Sequence, residues 1–119
     1  MTFLLVVLAG AIGVGARYAI GQTVPAESLG TATLVINVGG SALLGLLVAA
    51  RELLPRELDV ALAVGLLGGF TTFSTFTVDV FLDFRAGEEG QAAFYLFASI
   101  VFGLAAAAIG YWAGRAIAH

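Results

Sequence analysis

Apolar residues fill the chain in four long runs, and polar residues collect in three short stretches between those runs. A helix that crosses the hydrocarbon core of a bilayer needs about 20 mainly apolar residues. The pattern therefore predicts four membrane-spanning helices, at about residues 2–20, 31–50, 60–82 and 92–117. Nearly all of the charged residues fall between these helices, which is typical of the loops of a membrane protein.

The composition agrees with a location in a membrane. Of the 119 residues, 61% are hydrophobic, and only five are basic and eight acidic. A soluble domain of this length could not bury so much apolar surface. We expect an all-α integral membrane protein in which residues 1–119 form a single four-span domain. The first apolar run has no basic residue before it, which favours a spanning helix over a signal peptide.

The five arginines give a weak signal for orientation. Cytoplasmic loops normally carry the excess of basic residues. Four spans place Arg51, Arg56 and Arg115 on one side of the membrane, and Arg17 and Arg85 on the other. This small difference leaves two interpretations open. The protein has one fixed orientation, or it has a dual topology in which copies insert both ways and pair antiparallel.

Polar residues follow one face of the predicted second helix. Thr33, Asn37, Ser41 and Gly45 recur at intervals of four, which aligns them along a single stripe. Asn37 is the most polar of them, with two amide donors and one carbonyl acceptor. Such a stripe is used either for hydrogen bonds between helices or to line a polar pathway, and the spacing leaves both uses open.

The fourth helix has a similar but weaker pattern. Tyr95, Ser99 and Gly103 recur at intervals of four, although a tyrosine near the end of a span is also a common interface anchor. Further along, Gly110 and Gly114 match the GxxxG pattern of closely packed membrane helices. We expect these small residues to serve packing.

The first helix carries a glycine-rich face that ends in an arginine. Gly10, Gly13 and Arg17 lie on this face. An arginine near the end of a span either extends to the headgroup region or supplies a fixed positive charge at the mouth of a polar pathway. The sequence leaves both interpretations open.

The third apolar run contains the segment GGFTTFSTF, residues 68–76. Paired glycines and clustered threonines weaken a helix, and together they predict a break at mid-membrane. Irregular backbone at that depth survives only inside protein or beside a watery cavity. Freed carbonyls at such a break can coordinate a cation, and freed amides at the next helix start can bind an anion. The alternative is a kinked but continuous helix.

Phenylalanines recur at every third position of the same segment. Phe73 and Phe76 share a helical face after the predicted break, and Phe70 precedes it. Such a stripe usually packs in a core or faces lipid. The edge of an aromatic ring is electrically positive, so a ring held edge-on can also attract a small anion.

Several classes of activity lack the residues that they need. The chain has no cysteine, its single histidine is His119, and no nucleophile–base pair or metal-ligand cluster can be assembled from the pattern. We therefore do not expect an enzyme. Proton-coupled carriers usually need a central ionisable residue, and the first, second and fourth helices have no central acidic residue.

Three segments, GVGARY, GTATLVINVGGSALLG and GLLGGFTTFSTF, resemble the Fluc (CrcB) family of small fluoride channels, and the resemblance covers essentially the whole chain. It implies passive, fluoride-selective export from the cytoplasm across the cell inner membrane. It also implies an antiparallel, dual-topology homodimer with two pores and a central structural sodium ion. Two alternatives are a proton-coupled drug or metabolite exporter of the small multidrug resistance type, and an assembly subunit without transport activity.

The resemblance further implies roles for individual residues. Pore-lining, fluoride-binding positions of the family match Asn37, Phe73, Ser74, Phe76, Tyr95 and Ser99. The backbone carbonyls of Gly68 and Thr71 match the sodium ligands, contributed by both subunits, and Arg17 matches an arginine of the vestibule.

Two positions depart from the family pattern. Asp79 stands where the family often has glutamate, and Gly103 stands where some members continue the polar track of the fourth helix. We expect a shorter track in this chain, or one completed by water. Because the chain keeps the arginine, the asparagine and both phenylalanines, a homodimer is favoured over a pair of unlike subunits.

Overall fold

The computed structural model describes all 119 residues, and every regular element in it is a helix. Helix α1 spans Thr2–Gln22. Helix α2 spans Leu29–Ala50 and is flanked by the 3₁₀ turns Ala26–Ser28 and Arg51–Leu53. The last helix, α6, spans Glu89–Ala118. Between α2 and α6 lies a third span made of several shorter helical segments.

This third span changes its helical type along its length. It begins with α3, Arg56–Val60, and continues as a π-helix over Ala61–Leu67. A short α4, Gly68–Phe70, follows, and α5, Phe73–Arg85, completes the span. The π-helical turns are not predictable from the sequence, because the apolar segment ALAVGLL carries no pattern that separates them from an α-helix.

Two residues between α4 and α5 have extended backbone. Thr71 has φ −87° and ψ 161°, and Thr72 has φ −149° and ψ 118°. The Thr72 hydroxyl accepts a hydrogen bond from the Thr75 amide at 3.3 Å, which makes Thr72 the N-cap of α5. The chain therefore ends one helix and starts another within the span.

Four helical stretches are long and apolar enough to cross a membrane: Thr2–Gln22, Ala26–Leu53, Arg56–Arg85 and Glu89–Ala118. The predicted number and order of spans is confirmed, and the chain is a multi-pass integral membrane protein. The helices are longer than predicted at most of their ends. The hydrophobic pattern marks the hydrocarbon core, whereas a helix continues into the headgroup region, where charged residues are solvated.

The helices pack in two pairs, and small residues make the contact in each pair. Helix α2 lies along α6, where a β-carbon at Gly110 would overlap the Ala42 carbonyl oxygen and one at Gly45 would overlap that of Ala107. Glycine therefore lets the two backbones approach closely, as predicted for Gly110. A β-carbon at Gly114 would likewise overlap the carbonyl oxygen of Leu46.

Helix α1 packs against the π-helical turns and α4 of the third span. Its glycine face forms this contact. A β-carbon at Gly13 would overlap the Leu66 carbonyl oxygen, and one at Gly69 would lie 2.7 Å from the Gly10 carbonyl oxygen. This face therefore joins the first helix to the segment in which the third span is interrupted.

Candidate functional site

An open groove of about 340 Å³ lies where α2, α6 and the third span meet. Six of the predicted site residues line it: Asn37, Gly68, Thr71, Phe73, Phe76 and Ser99. None of the residues that line the groove has an ionisable side chain. The groove therefore offers neutral polar groups and aromatic rings in mainly apolar surroundings.

Asn37 joins α2 to the interrupted segment through two hydrogen bonds. Its side-chain nitrogen donates to the Thr72 carbonyl oxygen at 2.9 Å. Its side-chain oxygen accepts from the Thr72 amide at 2.8 Å. Because Thr72 presents one donor and one acceptor, the orientation of the amide group is fixed by its partners. One N–H of Asn37 remains for a third partner, so the interhelical bond and a role in the groove are compatible.

One of these two hydrogen bonds takes the place of a bond that a continuous helix would make. In a continuous α-helix the Thr72 amide would donate to the Gly68 carbonyl oxygen. Here it donates to Asn37 instead. The Thr71 carbonyl oxygen, which lies outside the regular helices, accepts no backbone hydrogen bond. Two backbone carbonyls beside the groove are thus without their usual helical partners.

Aromatic rings line the groove and the space behind it. The Phe73 and Phe76 rings are 6.0 Å apart at an interplanar angle of 63°, an edge-to-face arrangement. Phe76 is buried and packs on Tyr95 with ring centroids 5.2 Å apart. Phe73, in contrast, is 75% exposed in the single chain. The two phenylalanines share the groove, but only Phe76 is held on several sides.

A buried serine hydroxyl faces no partner within the chain. The Ser99 oxygen is inaccessible to solvent and makes no hydrogen bond, although Ser99 lines the groove. The neighbouring Ser41 hydroxyl donates to the Asn37 backbone carbonyl at 2.8 Å. An unpaired hydroxyl in apolar surroundings is costly, so a small side-chain movement that gives Ser99 a partner would be favourable.

Two of the predicted pore residues do not line this groove. Ser74 is exposed on α5 and is absent from the groove wall. Tyr95 is buried behind Phe76, and its hydroxyl donates to the Asp79 carboxylate at 3.3 Å. Tyr95 and Asp79 line a second cavity of about 570 Å³, together with Asp83 and other residues. The hydroxyl is therefore engaged with a carboxylate in the single chain.

Arg17 lies in a third cavity, of about 470 Å³, which Thr72, Thr75 and Asp79 also line. Its Nε atom donates to the Gly69 carbonyl oxygen at 3.4 Å. The side chain is half-buried and extends toward the interrupted segment. Arg17 therefore contacts the third span, in addition to lying near the end of its own span.

Thr72 is a residue of the site that is not predicted from the sequence. It is the partner of Asn37 and the cap of α5. The signal for it is a threonine that precedes a helix start and lies three residues before Thr75, a spacing that N-cap residues favour. Its pairing with a residue 35 positions away has no counterpart in the local pattern.

No group of three or more His, Cys, Asp or Glu side chains is arranged to hold a metal ion. The oxygen atoms near the groove belong to neutral groups: hydroxyl and amide side chains, and backbone carbonyls such as those of Gly68 and Thr71. Hydroxyl, amide and carbonyl groups bind ions without titrating near neutral pH. The arrangement suits reversible binding of a small ion better than acid–base chemistry.

Comparison with known proteins places the chain in a family. Residues 4–111 match the family described as CrcB-like protein, Camphor Resistance (CrcB). The chain is 41% identical to the fluoride-specific ion channel FluC of Chelativorans sp. (strain BNC1), with 96% of each chain covered. It is also 41% identical to a protein of the same name from Thermus thermophilus, over 97% of this chain and 96% of that protein. Similarity at this level along nearly the whole length shows that the chain belongs to the CrcB-like protein family.

Proposed function

We propose that this protein is a passive, fluoride-selective ion channel that exports fluoride from the cytoplasm across the cell inner membrane. Residues 1–119 act as one transmembrane unit. The observation that carries the proposal is the groove of neutral donors and aromatic rings at the interruption of the third span, in a chain that closely resembles fluoride-specific channels. The family and its chemistry are those of a channel and not of an enzyme.

The chemistry of the groove suits an anion that must lose water and leave again. Fluoride is small and strongly hydrated, so donors must replace its hydration shell. Asn37 has a free N–H, and the Ser99 hydroxyl has no partner. Conduction requires binding that is weak enough for exit, and a groove without fixed charge avoids trapping the ion. The edge of the Phe76 ring supplies weak positive character without a full charge.

Ser74 and Tyr95 belong to the proposed pore only if their surroundings differ in the working channel. Ser74 is exposed in the single chain, so a second copy would have to bring it to a pathway. The Tyr95 hydroxyl donates to Asp79, and it would have to exchange that partner for fluoride. A hydroxyl has one proton to donate, so the two acceptors compete for it.

A second copy of the chain is part of the proposal. The groove is open in the single chain, and the Phe73 ring on its wall is 75% exposed. We propose an antiparallel homodimer with two pores, which agrees with the weak difference in arginine count between the two sides. Because the chain lacks cysteine, a His119→Cys variant can be labelled selectively. An impermeant thiol reagent is expected to label it from both sides of the membrane, and labelling from one side only would contradict the dual topology.

We also propose a structural sodium ion at the interruption. Gly68 and Thr71 line the groove, and their carbonyls lack their usual helical partners. Carbonyl oxygens of an unwound segment are suitable sodium ligands, and two copies would supply four. The ion would add positive potential next to the groove and would hold the two interrupted segments together.

The function is tested with purified protein in vesicles loaded with equal amounts of fluoride and chloride. With a potassium ionophore present to balance charge, we expect fluoride to leave far faster than chloride, as measured with ion-selective electrodes. Equal release of both anions would contradict fluoride selectivity. Flux that depends on a proton gradient would indicate the exporter instead, and no release above that of protein-free vesicles would indicate an assembly subunit.

The sodium site is tested by replacing sodium with a large organic cation on both sides of the same vesicles. We expect the fluoride flux to fall and to recover when sodium is restored, because the carbonyls of Gly68 and Thr71 would then repel one another. Protein-free vesicles in both buffers are the control. A flux that is unchanged after prolonged exchange would contradict a functional sodium ion.

A further inference from the structure

Helix α1 makes a single side-chain hydrogen bond to another helix, and Arg17 makes it. Its Nε atom donates to the Gly69 carbonyl oxygen at 3.4 Å, across 52 positions of sequence. The two ends of this contact are brought together by the glycine face of α1, since Gly69 packs against the backbone at Gly10. A half-buried arginine is thus held against the last turn of α4.

The Gly69 carbonyl lacks its usual partner because the helix is interrupted. In a continuous α-helix the Phe73 amide would donate to this oxygen. Here Thr71 and Thr72 are extended, and Phe73 starts a new helix. The carbonyls at a helix C-terminus carry partial negative charge and need a donor. A guanidinium is charged, weakly hydrated and rich in donors, so it suits this position inside a membrane protein.

The residues of the interrupted segment have different neighbours. Gly68 and Thr71 both line the groove. Gly69 lies on the side that meets α1, where Arg17 reaches it. On the side of α2, the Asn37 side chain hydrogen-bonds to both the amide and the carbonyl of Thr72. Arg17 of α1 and Asn37 of α2 therefore both hydrogen-bond to the interrupted segment, each from a different helix.

We propose that Arg17 is a positioning residue that caps the broken end of α4. It fixes the direction of the Gly68 and Thr71 carbonyls and the starting point of α5, on which Phe73 and Phe76 depend. The proposal goes beyond a positive charge at a pore mouth, because the hydrogen bond and not the long-range field carries the effect. It rests on the proposed channel function only for its effect on flux.

A matched pair of variants separates the cap from the charge. Arg17→Gln removes the charge and keeps a donor, whereas Arg17→Met removes both at a similar side-chain length. We expect Arg17→Gln to keep fluoride flux within about threefold of the unmodified protein, and Arg17→Met to lose about tenfold or more, because only Arg17→Met leaves the Gly69 carbonyl without a donor. The difference is expected to persist from low to high ionic strength.

Hydrogen–deuterium exchange supplies a readout that does not depend on flux. The peptide that contains Gly69, Phe70 and Thr71 is expected to exchange faster in Arg17→Met and to stay protected in Arg17→Gln. Equal flux losses in both variants that shrink as salt increases would overturn the cap in favour of a mouth charge. Unchanged exchange in Arg17→Met would also overturn it.

The proposal remains testable if either a variant or the proposed function fails. If Arg17→Met does not give folded protein, Arg17→Gln decides alone, since the mouth charge requires a salt-sensitive loss and the cap requires retained flux. If the unmodified protein releases no fluoride, the proposed function fails, and the exchange experiment still decides whether Arg17 caps α4.

Discussion

Replacing Asn37 by leucine is expected to destabilise the protein by roughly 2 to 6 kcal/mol, because two backbone groups of Thr72 lose their partners and each orphaned group costs about 1 to 3 kcal/mol. Leucine has nearly the same size, so the change removes polarity and leaves the packing volume alone. The interrupted segment then loses its hydrogen bonds to α2, so that the positions of Thr71 and Phe73 on the groove wall are no longer fixed. We expect fluoride flux to fall about tenfold or more as a result.

The measurements are thermal unfolding in detergent and fluoride release from vesicles. Ser41→Ala is the matched control, since Ser41 lies one turn along the same face of α2 and its hydroxyl only returns to the Asn37 backbone at 2.8 Å. The control is expected to cost less than about 1 kcal/mol. Similar losses in Asn37→Leu and Ser41→Ala would show that the Asn37–Thr72 pair has no special role.

Replacing Phe76 by isoleucine is expected to remove most of the fluoride flux, by about tenfold, because the groove loses its well-held aromatic edge. The Phe76 ring contacts both Phe73 and Tyr95, and isoleucine cannot reproduce either arrangement of rings. Isoleucine is still large and apolar, so we expect a stability cost of roughly 1 to 3 kcal/mol and a folded protein that keeps its oligomeric state. Fluoride release and size-exclusion chromatography measure the two effects.

The control for Phe76 lies on the same helix. Phe81 is 53% exposed on α5 and is not part of the groove wall. Phe81→Ile is expected to leave fluoride flux unchanged. Full flux in Phe76→Ile would exclude the ring as a part of the pathway, and an equal loss in Phe81→Ile would attribute the effect to α5 as a whole.

Local sequence is enough to predict the packing helices of this fold. Gly110 and Gly114 follow the pattern of close helix contacts, and they meet the α2 backbone as that pattern requires. The ends of the helices are less predictable, because Arg56 and Glu89 are helical outside the apolar runs. Hydropathy marks the residues that lie in the hydrocarbon core of the bilayer, whereas backbone hydrogen bonds extend the helix beyond that core.

The candidate site is predictable in its composition and only partly in its arrangement. The stripe through Asn37 and the phenylalanines of the third span both reach the same groove. Ser74, in contrast, does not line it. Neighbouring helical positions differ by about 100° in direction, so the rotation of α5 decides which residue meets the groove.

By itself, the sequence determined that the chain crosses a membrane four times and that its third span contains helix-weakening residues beside two aromatic rings. Composition, periodicity and glycine spacing are properties of the local sequence, and they do not depend on which segments the fold brings together. Only the tertiary structure decided which partners the interrupted backbone finds. Asn37 hydrogen-bonds to Thr72, which is 35 positions away, and Arg17 hydrogen-bonds to Gly69, which is 52 positions away. Hydrogen bonds between distant segments depend on how the packed helices are rotated and aligned, and glycine spacing marks the contact faces without specifying these hydrogen-bond partners.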